Sequence, residues 1–209
     1  DTRIIGNTFI DLSDYPLSFH LGYIDSTFQG NTFSNIKDGK AYVFTQSNRL
    51  GEVGRVYDWL DAGLPYLMPD DNVFVAEKNN GLNSEGHAPT LKLYPGAELQ
   101  FRGNRFLAIG ESSGDRGKLI ADGAIFTAQD TTKQWQGIDL NDGTVDGMTL
   151  SNAIIEYADK PIDIHSGVLS TIKNNTIRHS SYGIYSNDNH KDTRIIGNTF
   201  IDLSDYPLS

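Results

Sequence analysis

Residues 171–204 read TIKNNTIRHSSYGIYSNDNHKDTRIIGNTFIDLS, and the motif Asn-Asn-Thr-Ile beginning at Asn174 returns as Gly-Asn-Thr-Phe at Gly197. The second asparagine of each motif, Asn175 and then Asn198, recurs at an interval of 23. Working outward, Ser-Asn-Ala-Ile repeats that interval back to Asn152. Gly-Asn-Thr-Phe at Gly6 and at Gly30 sets Asn7 and Asn31 at an interval of 24. A period of 23–24 residues is the length of one β-helix coil, in which two or three short strands separated by turns stack on the coil below. The fold class this predicts is all-β, a right-handed parallel β-helix (solenoid) with about 23–24 residues per coil. Stacking at the inter-strand spacing of about 4.8 Å turns equivalent residues into columns. The asparagines Asn152, Asn175, Asn198, Asn7 and Asn31 are expected to form an amide ladder at one corner, where Asn also tolerates a left-handed backbone. Two residues on, Ile154, Ile177, Phe200 and Phe33 should point inward. A second inward column is expected at Ile162, Ile184, Leu17 and Ala41, continued by Ile164, Ser186, Phe19 and Val43.

The chain's two ends are the same. Asp1–Ser18 and Asp192–Ser209 share all eighteen letters, DTRIIGNTFIDLSDYPLS, at an offset of 191 residues. A tandem array with a unit of 191 residues accounts for this, as would a cloning duplication or circular permutation. At about 24 residues per coil the unit makes about eight coils, close to a whole number, and advances about 38 Å. Closure on a whole number of coils would let units share one core without an internal cap.

Composition agrees with many short strands and turns. There are 21 glycines in 209 residues, and no long Ala/Leu/Glu/Lys stretch. The net charge of −10 and the lack of a Lys/Arg cluster argue against nucleic acid as a partner. Without cysteine there is no disulfide framework and no thiolate ligand. No apolar run reaches the length of a membrane span, so membrane insertion is not expected, and no signal peptide opens the chain.

Residues Thr45 to Thr90 interrupt the rhythm with Gly51, Gly54, Gly63, Pro65, Pro69 and Gly81, and read as an irregular junction between units. Within it Asn72–Ala76 suits a strand and Glu77–Pro89 an exposed loop. Alternation resumes over Leu91–Phe101 and Phe106–Ile109. The run LKLYPGAELQF, then FLAIG, KLIADGAIFTA and WQGIDL from Trp135, resembles bacterial secreted and cell-surface proteins with right-handed parallel β-helix repeats. Trp59 and the GLPY at Gly63–Tyr66 are similar to the segment that often opens such domains. The resemblance implies a single β-helix over 1–209. It makes residues 1–49 the final coils of one unit, 50–191 the start of the next with the irregular junction 45–90, and 192–209 a duplicate of 1–18. It implies an extracellular or cell-surface location. It leaves function open, since lyases, epimerases, adhesins and inert stalks share the scaffold.

No catalytic set emerges. A β-helix lyase needs a Lys or Arg base beside acidic calcium ligands. The outward residues near the C-terminus, among them Arg178, His179, Tyr182 and Arg194, supply charges of the kind any solvated face carries. Aspartates in turns, Asp142, Asp146, Asp188 and Asp192, suit calcium by ligand type but match no calcium-loop motif. The five histidines lack paired metal-ligand spacing. An outward column of Asp163, Tyr185, Ser18 and Tyr42, flanked by His165, Asn187, His20 and Phe44, is the candidate ligand face, on which aromatic rings could stack on sugars. The function expected is therefore a structural or adhesive repeat of a surface fibre whose units stack end to end, not an enzyme and without a cofactor other than calcium. A polysaccharide lyase or epimerase, or a non-catalytic glycan-binding β-helix, is the alternative.

Overall fold

The computed structural model describes residues 3–24, 28–36, 42–77, 87–165, 167, 169–186 and 192–209. Among these residues every pairing between strands is parallel, and helix is confined to 3-10 geometry, at Leu21–Tyr23 and at His87. The N-terminal strands are β1 (Ile4–Ile5), β2 (Thr8–Ile10), β3 (Leu17–His20), β4 (Phe28–Gln29), β5 (Thr32–Ser34) and β6 (Val43–Gln46). From there the chain winds through three faces in a fixed order. Face 1 holds β7 (Arg49–Leu50), β10 (Val73–Val75), β13 (Phe106–Ile109), β16 (Gly137–Leu140), β19 (Ile162–Ile164) and β22 (Ile184–Ser186). Face 2 holds β8 (Val56–Trp59), β11 (Thr90–Leu93), β14 (Lys118–Asp122), β17 (Met148–Ser151), β20 (Ser170–Lys173) and β23 (Arg194–Ile196). Face 3 holds β9 (Tyr66–Leu67), β12 (Glu98–Phe101), β15 (Ile125–Ala128), β18 (Ile154–Glu156), β21 (Thr176–Arg178) and β24 (Thr199–Ile201), and β6 and β3 extend it below β9. Neighbours from β7 onward are three strands apart in sequence, which is what a solenoid of about six three-faced turns requires.

Strand alternation fills the interior. On face 3 the column Leu17, Val43, Tyr66, Leu99, Phe126, Ile155, Ile177 and Phe200 runs the length of the molecule in register. From Val43 to Ile177 each member is fully enclosed. Trp135, at the entry to face 1, stacks on Phe101 at 4.4 Å and 8° and donates from Nε1 to the Glu156 carbonyl at 2.9 Å, so its one polar atom is satisfied inside the core.

The period differs from the expected one. The step from one turn to the next is as short as 22, from Ile155 to Ile177, and as long as 34, from Val56 to Thr90, with an average of about 26 residues. The motifs near the termini mark the shortest turns, whereas the middle turns carry longer corner loops that the motif does not span. Residues 45–77 also depart from expectation. Far from interrupting the solenoid they contain β7, β8, β9 and β10, and face 3 passes through them without a break. Their glycines sit at corners, such as Gly63 with φ +75° between β8 and β9. Trp59 and Tyr66 lie inside this stretch with rings 5.1 Å apart. Of the expected loop Glu77–Pro89, residues 78–86 lie outside the described residues.

The asparagine corner is real, with one member displaced. Asn175 is fully buried, and its Nδ2 donates to the Leu150 carbonyl and to Asn198 Oδ1, both at 2.9 Å. Its Oδ1 accepts from the Ala153 amide at 2.9 Å. Asn7 and Asn31 repeat the amide pair at 3.2 Å. Asn152 does not belong to this ladder. It occupies the preceding left-handed position, φ +53°, equivalent to Asn174 at +56° and Gly197 at +64°, and Ala153 takes the buried place. The motif match hides a step of 22. For the same reason Ile155, not Ile154, stacks on Ile177. The second inward column also needs correction. Ile162 and Ile184 pair on face 1, but Leu17 belongs to face 3 and pairs with Val43, so Phe19 faces Thr45. Ala41 lies outside the described residues.

Candidate functional site

Two places concentrate polar side chains, and both follow from the way strands and corners alternate. The first is the outer surface of face 1, where pairing places Ala108, Asp139, Asp163 and Tyr185 side by side on successive strands. Asp163 is almost enclosed, 6% exposed. Lys160 Nζ lies 3.1 Å from its Oδ2 and His165 Nε2 lies 3.0 Å from its Oδ1, so one carboxylate is flanked by two nitrogen groups. The Lys160 ammonium also sits 4.1 Å from the centre of the Tyr185 ring. Asp139 is placed differently. Its burial, reinforced by the neighbouring Asp163 charge, pushes its carboxyl up to about 6, against the opposing pull of His165 and Lys160. The pair therefore consists of one carboxylate flanked by nitrogen groups and one that takes up a proton near pH 6.

The second place is a groove of about 880 Å³ that reaches from Tyr42 to Asp159 along the corner between faces 3 and 1. The loop between β15 and β16 forms one wall, pinned by Asp130, which accepts from Thr132 at 2.6 Å and lies 3.4 Å from Lys133 Nζ. Arg102 lies across from that loop, its Nη1 3.5 Å from Asp70, while its Nε is buried without a hydrogen-bond partner. Gln129 and Gln136 add amides to the lining. A polar, open groove with alternating donors and acceptors suits a hydrated polyol better than an apolar small molecule.

The expected ligand face is divided between these places. Asp163, His165 and Tyr185 lie together on face 1, whereas His20 and Phe44 lie on face 3 strands and Tyr42 just precedes β6. The two sets cannot form one surface, because a constant step of 24 puts β3 and β6 on the wrong face. Ser18 faces Phe44, not Tyr42. Tyr42 lines the groove, and burial followed by the Glu98 and Tyr15 charges raises its phenol above the usual tyrosine range. Phe44 stacks on Tyr15 at 4.9 Å, and His20 meets Tyr23 edge-on at 6.0 Å beside Arg49 and Tyr57. Asn187 lies outside the described residues.

Of the turn aspartates, Asp142 and Asp146 share one exposed corner, where Asp146 accepts from the Leu169 amide at 2.9 Å. Asp192 is exposed on the last turn, and Asp188 lies outside the described residues. Among the described residues no three His, Cys, Asp or Glu side chains gather as a metal site. Of the outward C-terminal charges, Arg178 is bound to Glu156 at 2.6 Å, and His179 stacks on Tyr157 at 5.3 Å from a left-handed corner.

Motif spacing does not single out Asp139 and Lys160, although the likeness of Ile138-Asp139-Leu140 to Ile162-Asp163-Ile164 carries the signal for the first. Arg102, Gln129 and Lys133 sit on corners, where strand alternation gives no direction.

The fold defines the chain as a three-faced parallel β-solenoid with a polar corner groove. Comparison with protein-family models, with curated proteins and with solved structures finds no match. Among the described residues no helix is long and apolar enough to cross a membrane.

Proposed function

We propose that this chain is a non-catalytic structural module of an extracellular surface fibre, in which copies stack end to end through their solenoid coils. The observation that carries this reading is the state of the last turn. Residues 192–209, which repeat residues 1–18, are laid down as one more coil, with β23 on β20, β24 on β21 and Leu208 bridged to Ile184. That coil leaves the inward-pointing Ile195 and Leu208, which stack on buried Ile172 and Ile184, exposed at 42% and 55%, beside open strand edges. An uncovered apolar coil with unpaired backbone is a template for further strands, and a segment already present in duplicate supplies them without new chemistry. Immunogold electron microscopy on intact cells tests the reading, with label expected along surface filaments. Label confined to the cell interior would reject it.

A second reading, glycan binding, is favoured by the corner groove, where the Gln129 and Gln136 amides stand beside the Asp130–Lys133 and Asp70–Arg102 pairs. Its ligand is a neutral oligosaccharide segment, because acidic and basic lining residues nearly balance. An array of neutral and uronic-acid oligosaccharides tests it. Binding to neutral chains that is lost in a Gln129→Ala/Gln136→Ala double variant supports the reading, and no binding, or binding that the variant keeps, removes the groove from consideration.

A further inference from the structure

We infer that successive units join with a shift of one third of a turn, so that face 1 of one unit runs on as face 3 of the next. This rests on the stacking reading above and adds its geometry. The eighteen duplicated residues occur in two settings. At the C-terminal end, β23 and β24 pair downward with β20 and β21, and Leu208 bridges Ile184 of face 1. At the N-terminal end the same letters form β1, β2 and β3, which pair upward with β4, β5 and β6. The two sets of bonds use opposite edges of the same residues. In a tandem array one segment therefore makes both sets at once.

The consequence lies in the third strand. Leu208 stands on face 1, and its twin Leu17 begins the column that runs through Val43 and Tyr66 along face 3. Between Leu17 and Leu208 the chain makes seven full turns on face 3, to Phe200, and then rounds one more corner. The unit thus advances seven and one-third turns, in keeping with 191 residues at about 26 per turn. Closure on eight whole coils does not occur. At about 4.8 Å per turn the advance is about 35 Å. The outward column shows how neighbours meet. The Ser209 amide donates to the Ile184 carbonyl at 3.2 Å and its carbonyl accepts from the Ser186 amide at 2.8 Å, which sets Ser209 opposite Tyr185. Ser18, the twin of Ser209, pairs with Phe44. In the joined chain Tyr185 of the first unit, Ser18 of the second and Phe44 of the second are consecutive members of one column.

The chain has no cysteine, so distances can be read from introduced pairs. A two-unit chain, residues 1–191 followed by 1–209, carries Tyr185→Cys in the first unit and Phe44→Cys in the second, both spin-labelled. Pulsed electron–electron double resonance and small-angle scattering are recorded on the same sample. A short, narrow separation, two strand steps or about 10 Å between backbones plus the label arms, on a continuous rod is the expected result. A continuous rod with a long separation would overturn the third-turn shift and leave stacking intact. Two bodies on a flexible joint, with a broad distribution, would overturn both.

Discussion

Leu17 and Leu208 stand in identical eighteen-residue contexts, yet Leu17 pairs with Val43 on face 3 and Leu208 bridges Ile184 on face 1. Identical local sequence gives the same strands and corners, Gly6 and Gly197 having φ +66° and +64°. It does not fix which face they occupy. That is decided by how many residues the intervening turns spend on corners.

Asn175 and Asn152 should respond differently to substitution. Asn175→Ala leaves the Ala153 amide and the Leu150 carbonyl without partners in the core, at a cost of about 2 to 4 kcal/mol. Asn152→Gly keeps the left-handed corner and loses one exposed bond to Asp122, so the change stays within about 0.5 kcal/mol. Urea unfolding of the two variants measures the contrast, and equal losses would contradict the assignment of Ala153 to the buried place.

Gly137 admits no side chain. A Cβ there would lie 1.7 Å from the Lys160 carbonyl oxygen, and its φ of +127° is closed to other residues. Gly137→Ala should break the β16 to β19 pairing and yield little folded protein by circular dichroism. Gly54→Ala, with open space around it, is expected to cost only about 1 kcal/mol for its left-handed backbone.

Asp139 makes stability fall as pH rises. Its folded-state value of about 6 lies above the unfolded carboxyl value, so the folded chain binds the proton more tightly and the stabilising effect of protonation is lost between about pH 4 and pH 6. The gap between folded and unfolded values corresponds to at most ~3 kcal/mol. Asp139→Asn should raise the melting temperature at pH 7.5 and leave it nearly unchanged at pH 4. An equal effect at both would show that the burial of this carboxyl is not what sets its protonation.

Chelation should not unfold the solenoid. Asp142 and Asp146 lie on one exposed corner, and Asp146 is already engaged by the Leu169 amide, so EDTA treatment is expected to leave the thermal midpoint unchanged to within a degree or so. A fall of several degrees, restored by calcium, would point to ligands among the turn aspartates.

Much of this fold is legible without coordinates. The recurring motif implies the parallel stack, and alternation locates β13, although it runs Leu91–Phe101 together where the chain turns a corner between β11 on face 2 and β12 on face 3. What misleads is the assumption of a constant step. Between Asn152 and Asn175 the Ser-Asn-Ala-Ile match selects an interval of 23, but hydrogen bonding demands 22, because on that turn Ala153 and not Asn152 fills the buried place. The same assumption merges faces 1 and 3 and joins Tyr42 to Tyr185. Corner loops are the other blind spot. Asp130 and Lys133 lie on a loop whose length has no periodic signature, so the groove they wall has no trace in the pattern.

On the reading proposed above, copies continue one another as a single solenoid. Cryo-electron microscopy of chains holding one, two and three units measures it directly. The account predicts unbranched rods that lengthen by about 35 Å per added unit, with strand stacking unbroken across each join. Particles that stay the same length and string together as separate beads would contradict it.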